Sequence, residues 1–179
     1  METVKLHDRN FKTLIHAEQI AARVSELGKL ISLEYDGMQP VLLCVLRGAF
    51  IFTADLNRTI SIPMEMAFIQ IQSYEGTSSS GKVTLTTELP EYLRNRHVLI
   101  VEDIVETGLS LEHLIQQLDR LNPLSVRIAA LLVKPEAKRF PVDIHFTGFE
   151  ISNEFVVGYG MDYDGLGRNL PHIYAEVTS

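Results

Sequence analysis

The chain has 179 residues, 46% of them hydrophobic and 22% charged, with 16 basic groups against 23 acidic ones for a formal charge of −7. That size suits one domain, expected to span residues 1–179, with a core that holds without cross-links, and the lone Cys44 excludes both a disulfide framework and a multi-thiolate metal site. An acidic chain with no basic block is poorly suited to gripping nucleic acid through its phosphates, and no apolar run reaches the roughly 18 residues of a membrane helix.

Met1-Glu2-Thr3-Val4-Lys5 shows no apolar stretch after its charges, so no secretory leader is expected; with the single thiol this points to a reducing, cytoplasmic setting. The spacing of Ile20, Val24, Leu27 and Ile31 predicts a helix from about His16 to Asp36, stopped by Gly37. Val41–Leu46 is a continuous apolar run between Pro40 and Gly48 and reads as a strand buried on both faces. Cys44 lies inside it, as a small hydrophobe rather than a nucleophile. A short helix is expected over Phe50–Asn57 and a strand over Met64–Gln72. Glu75–Gly81, with three serines and two glycines, has nothing to anchor it and reads as a mobile loop. Strands are expected over Val83–Thr87, His97–Val101, Ser125–Val133, Ile144–Phe149 and Phe155–Tyr159. Leu111, Leu114, Ile115, Leu118 and Leu121 form the apolar stripe of a helix that ends at Asn122-Pro123. Strands alternating with helices imply an α/β fold, a parallel sheet covered on both faces.

Ligands of such sheets bind beyond the carboxyl ends of the strands, so the residues after each apolar run carry the functional reading. After Val98-Leu99-Ile100-Val101 the chain reads Glu102-Asp103-Ile104-Val105-Glu106-Thr107-Gly108-Leu109-Ser110. Hydroxyls and unpaired N–H groups at a helix start make an anion site, although an ordinary helix cap would look the same. Two adjacent carboxylates would repel a bare phosphate. They suit a ligand that also presents hydroxyls, or a divalent cation bridging to further phosphates.

Val101–Ser110 resembles the signature of the phosphoribosyltransferases: an apolar strand, two acids and a Thr-Gly-x-Thr/Ser phosphate loop. Leu46-Arg47-Gly48 is similar to the diphosphate loop of the 6-oxopurine branch, and Gln72-Ser73-Tyr74 to the start of its lid. Leu131-Leu132-Val133-Lys134, Gly148–Ile151 and Phe155–Tyr163 are similar to its purine-recognition segments, and Arg168-Asn169-Leu170 to its C-terminal diphosphate contact. The resemblance spans nearly the whole chain in the right order. It implies the type I phosphoribosyltransferase fold, a mostly parallel sheet with helices on both faces and a small hood made by the chain ends.

The resemblance also implies the chemistry: transfer of a 6-oxopurine to 5-phosphoribosyl-1-diphosphate, with release of diphosphate. Carried over by position, Glu106, Thr107, Gly108, Leu109 and Ser110 hold the 5′-phosphate, and Glu106 serves as base. Glu102 and Asp103 face the ribose hydroxyls and Mg2+, and Asp162 helps to hold a second Mg2+ beside the purine. Arg47, Gly48 and Arg168 meet the diphosphate. Phe155 stacks on the purine, Lys134 donates to its O6, and the Val156 backbone reads the edge with the 2-substituent. Ser73 and Tyr74 form the lid, the Leu46–Arg47 peptide is cis, and the chain forms a homodimer or homotetramer.

Each position has a plainer reading. Lys134 before Pro135 could be a solvated strand end, Phe155 a core residue, and Asp162 and Asp164 turn residues; Asp162 is carried over and Asp164 left as a turn. The six histidines show no ligand spacing. Two positions depart from the family pattern. Glu106 stands where aspartate is usual, moving the base by about one bond length, and Leu109 stands where lysine is frequent. Rival readings are a xanthine-preferring transferase and a non-catalytic, nucleotide-sensing regulator that binds RNA; the net charge speaks against the second.

Overall fold

In the computed structural model, which describes residues 3–74 and 82–177, the chain ends form one sheet and the middle forms another. The first elements are β1 (Thr3–Leu6), β2 (Arg9–Ile15), α1 (Ala17–Glu34), β3 (Val41–Leu46), α2 (Phe50–Thr59), β4 (Glu65–Tyr74) and β5 (Lys82–Leu85). They are followed by β6 (His97–Val105), α3 (Leu109–Asp119), β7 (Ser125–Val133), β8 (Phe146–Glu150), β9 (Val156–Val157) and β10 (Ile173–Glu176).

The larger sheet runs β5-β4-β3-β6-β7-β8, all parallel except for the antiparallel β4–β5 pair. Alternation along the strands divides its core. Leu42, Leu99 and Val101 pack under α1 and α2 through Ile20, Val24, Leu27, Ile31, Phe52 and Leu56. Val41, Leu43, Val45, Val98 and Ile100 meet Leu111, Leu114 and Leu118 of α3 on the opposite face. Helices therefore cover both faces over β3 and β6. On β4 Ala67, Ile69 and Ile71 turn toward the α3 side, while Met66 and Phe68 stay exposed. Because the chain runs from β3 to β4 on one side and reaches β6 on the other, the strand order reverses between β3 and β6. That crevice is where such sheets bind ligands.

The smaller sheet, β1-β2-β10-β9, is antiparallel and has its own cluster of Phe11, Val157 and Tyr174. It is the expected hood. Two strand expectations change here. Phe155–Tyr159 is a strand only over Val156–Val157 and pairs with β10 in the hood, because Gly158, Tyr159 and Gly160 all take positive φ and turn the chain away. The strand begun at His97 does not stop at Val101. It continues to Val105, since Glu102, Ile104 and Val105 stay paired with β7.

Candidate active site

The longer β6 places both acids on the sheet itself. Glu102 is 8% exposed and lies opposite Ala130 of β7, and the Asp103 N–H donates to its Oε1 at 3.3 Å. Burial, reinforced by the adjoining Asp103 carboxylate, pushes the Glu102 carboxyl well above its usual range. Asp103 turns toward β3, against Gly48: any Cβ on Gly48 would run into the Asp103 carboxylate. The carboxyl ends of β3 and β6 thus touch at the switch point, and the Leu46–Arg47 peptide is cis, as expected.

The phosphate loop follows β6 directly. Gly108 caps α3 at φ +86°, a left-handed conformation natural to glycine, and a Cβ there would crowd the Phe140 carbonyl. Thr107 Oγ1 accepts the Leu109 N–H at 3.3 Å, so Thr107 supports the turn from outside the helix. The Ser110 and Leu111 N–H groups lie in the first turn, where a helix offers them no carbonyl. They border a pocket of about 70 Å³ lined by residues 102 and 104–111. Its size and donors suit one anionic group.

A larger cleft of about 430 Å³ adjoins it. Gly48, Asp103, Glu106, Lys134, Phe155, Val156, Asp162 and Arg168 all line it, so segments from β3, β6, β7 and the hood converge as expected. Arg47 stands exposed beside Gly48. Phe155 is 39% exposed, with Phe11 and Tyr163 behind it at ring-centroid distances of 6.2 and 5.8 Å. Asp164 sits in a turn at φ +47°. The expected lid, Ser73 and Tyr74 with residues 75–81, lies outside the described residues apart from the backbone of β4.

Two ion pairs lie in the cleft, one across 28 residues of chain and one within a single hood segment. Lys134, 5% exposed, bonds through Nζ to Glu106 Oε1, while the Lys134 N–H donates to the Val105 carbonyl at 2.9 Å. Arg168 Nη2 meets Asp162 Oδ1 at 2.5 Å, and Arg168 Nη1 donates to the Gly160 carbonyl at 2.7 Å. The other Asp162 oxygen accepts the Gly165 N–H at 2.7 Å. A buried ammonium needs a partner, and Glu106 provides one that can exchange for substrate because its own side chain is 53% exposed.

The donor set fits a hard divalent cation. Asp103 and Asp162 both line the same cleft and offer it carboxylate oxygens, and Glu102 adjoins Asp103 on β6. A different cluster, His16, Glu18 and His172, gathers possible ligands that the sequence spacing did not reveal. There His172 Nδ1 already accepts the Ala17 N–H at 2.8 Å, and His16 forms a capping box with Gln19, so the imidazoles cap α1.

A sequence model described as the phosphoribosyl transferase domain matches residues 11–164. The chain is 43% identical to the hypoxanthine-guanine phosphoribosyltransferase of Mycobacterium tuberculosis, over 96% of this chain and 89% of that one. It is 39% identical to the enzyme of the same name from Streptococcus pneumoniae R6, over 90% and 91%. Among solved structures, a hypoxanthine-guanine phosphoribosyltransferase from Bacillus anthracis superposes with a TM-score of 0.87 at 36% identity, covering 93% of this chain and 97% of that chain. A hypoxanthine phosphoribosyltransferase from Staphylococcus aureus gives 0.88 at 35% identity, covering 93% and 91%.

Proposed function

The chain belongs to the phosphoribosyltransferase family, and from that premise we infer that it is a purine-salvage enzyme, joining hypoxanthine or guanine to 5-phosphoribosyl-1-diphosphate to give IMP or GMP and diphosphate. The observation that carries the reading is the junction of a one-anion pocket at the start of α3 with a cleft holding a buried cation, an exposed aromatic ring and several carboxylates.

The Lys134–Glu106 pair sets a donor beside an acceptor at the purine end of the cleft. A 6-oxopurine carrying its proton on N7 offers the complementary pair on one edge, O6 to accept from Lys134 and N7–H to donate to Glu106. A 6-aminopurine would turn a donor toward the ammonium and be rejected. Phe155 supplies the stacking face, and the Val156 backbone lies at the edge bearing the 2-substituent. The N–H groups at the start of α3 hold the 5′-phosphate, while Arg47, Gly48 and Arg168 receive the diphosphate.

The reaction follows from that arrangement. N9 forms its bond to C1′ as the C1′–O bond to diphosphate breaks, the bonding pair leaves with diphosphate, and the N7 proton passes to Glu106. Positive charge grows on the ribose, beside Glu102 and Asp103, so electrostatic stabilisation rather than a covalent nucleophile does the catalytic work. Glu102, Asp103 and Asp162 would hold Mg2+, which when bound neutralises the departing diphosphate. Asp162 is paired with Arg168 in the structure, which keeps that guanidinium at the cleft where the diphosphate is received.

The enzyme works in the cytoplasm as a homodimer or homotetramer; exposed Phe50, Met66 and Phe68 are side chains that a second copy would cover. Among the described residues no helix is long and apolar enough to cross a membrane. The test is diphosphate release from phosphoribosyl diphosphate and Mg2+ with hypoxanthine, guanine, xanthine or adenine in turn. Release with the first two and not with adenine is expected; no release with either of the first two overturns the reading.

A further inference from the structure

Beyond the cleft, one buried contact ties the hood to the sheet body just where the diphosphate groups meet. The Tyr159 hydroxyl donates to Asp55 Oδ2 at 2.6 Å, and Tyr159 is 8% exposed. Asp55 belongs to α2, the helix that starts directly after Arg47-Gly48, and its second oxygen is held by Arg58. Burial and the Asp55 carboxylate both raise the proton affinity of the hydroxyl, so it stays a donor.

What Tyr159 holds is the next residue. Gly160 lies at φ +106° with its backbone so close to the Gly48 carbonyl that a Cβ would collide with that oxygen. The Gly160 N–H donates to the Arg168 carbonyl at 3.0 Å, and Arg168 Nη1 returns a bond to the Gly160 carbonyl at 2.7 Å. The Tyr159 N–H in turn donates to the Leu170 carbonyl at 2.8 Å. One turn of the hood therefore abuts Gly48 on one side and fixes the Arg168 segment on the other, and the Tyr159 hydroxyl ties it to α2 by a side-chain hydrogen bond.

We propose that the Tyr159–Asp55 hydrogen bond is the positioning contact of the diphosphate pocket, setting the distance between Gly48 and Arg168 through Gly160. The inference rests on the reading that Arg47, Gly48 and Arg168 receive diphosphate. A neutral hydroxyl donating to a carboxylate is a strong tie, and its loss leaves Asp55 short of a donor in a half-buried place. The hood turn then drifts from α2, and two groups that must close on one diphosphate part from each other.

Tyr159→Phe removes the hydroxyl and keeps the ring. Steady-state kinetics should show the KM for phosphoribosyl diphosphate rising about tenfold while the KM for hypoxanthine moves less than about twofold. Asp55→Asn retains an oxygen acceptor and should restore most of the loss seen in Asp55→Leu. The double variant Tyr159→Phe/Asp55→Leu should be no worse than either single variant. Unchanged constants with a lowered melting temperature would make the bond a stability contact and overturn the proposal, as would equal rises for both substrates. Arg168→Gln separates the two ways of failing. If it raises the KM for phosphoribosyl diphosphate and Tyr159→Phe does not, only the positioning role falls; if it leaves that constant unchanged, the diphosphate reading falls and this inference with it.

Discussion

Replacing Lys134 by methionine separates binding chemistry from stability. The Lys134 side chain is 6% exposed and its ammonium is paired with Glu106, whose side chain is 53% exposed. Methionine fills the volume of the stem and removes the charge and its donors. The lost hydrogen bond from a charged donor to purine O6 amounts to about 1.5–3 kcal/mol, a fall in kcat/KM for hypoxanthine of about 10- to 150-fold. Folding should not suffer in proportion. The Glu106 carboxylate is half-exposed and can turn to water, so no unpaired charge is left buried, and the buried ammonium is exchanged for an apolar chain that needs no partner. Steady-state kinetics with hypoxanthine, guanine and adenine, beside thermal melts, should show lost preference for 6-oxopurines, an almost unchanged KM for phosphoribosyl diphosphate and a melting temperature held or raised. A variant that still prefers 6-oxopurines to adenine as strongly as wild type would refute Lys134 as the O6 reader.

Three further outcomes follow from the same site. Glu102 binds its proton more tightly in the folded chain than at its ordinary value of 4.5, so its ionisation lowers stability as pH rises from that value through the folded one. Metal-free Glu102→Gln should thus melt higher than wild type near neutrality and lose the advantage by about pH 4; an equal gain at both would contradict the assignment. Glu106→Gln keeps hydrogen bonding without basicity and should lower kcat by about 100-fold, with Glu106→Asp remaining active; a Gln variant as fast as wild type removes Glu106 as the base. Gly160→Ala forces a Cβ onto the Gly48 carbonyl at φ +106° and should cost about 1–3 kcal/mol in urea unfolding, whereas an unchanged midpoint would deny the close approach.

The sheet was legible wherever one residue type dominated a segment. Val41–Leu46 is apolar throughout, and the strand occupies those residues because both faces are covered by helices. Where the pattern mixes, pairing decides. Arg9–Ile15 alternates, with Phe11, Thr13 and Ile15 inward, but it is held as a strand between β1 just before it and β10 some 160 residues later in the chain. Glu102 and Asp103 interrupt the apolar run of β6, yet β7 holds the strand to Val105, so the acids lie on the sheet rather than beyond it. In the site, the family resemblance located the segments. Period and spacing could not show that Lys134 would meet Glu106 or that Tyr159 would reach Asp55, because each contact joins segments that only the tertiary fold brings together.

One cleft at the carboxyl ends of β3 and β6 should hold the nucleotide with its phosphate at the start of α3. A crystal structure of the chain soaked with IMP and Mg2+ tests it directly. Phosphate oxygens should lie within hydrogen-bond reach of the backbone N–H groups of residues 107–110, with the base against Phe155 and O6 on Lys134 Nζ in place of Glu106. IMP bound elsewhere, or bound with its base at α3 and its phosphate at Lys134, would contradict it.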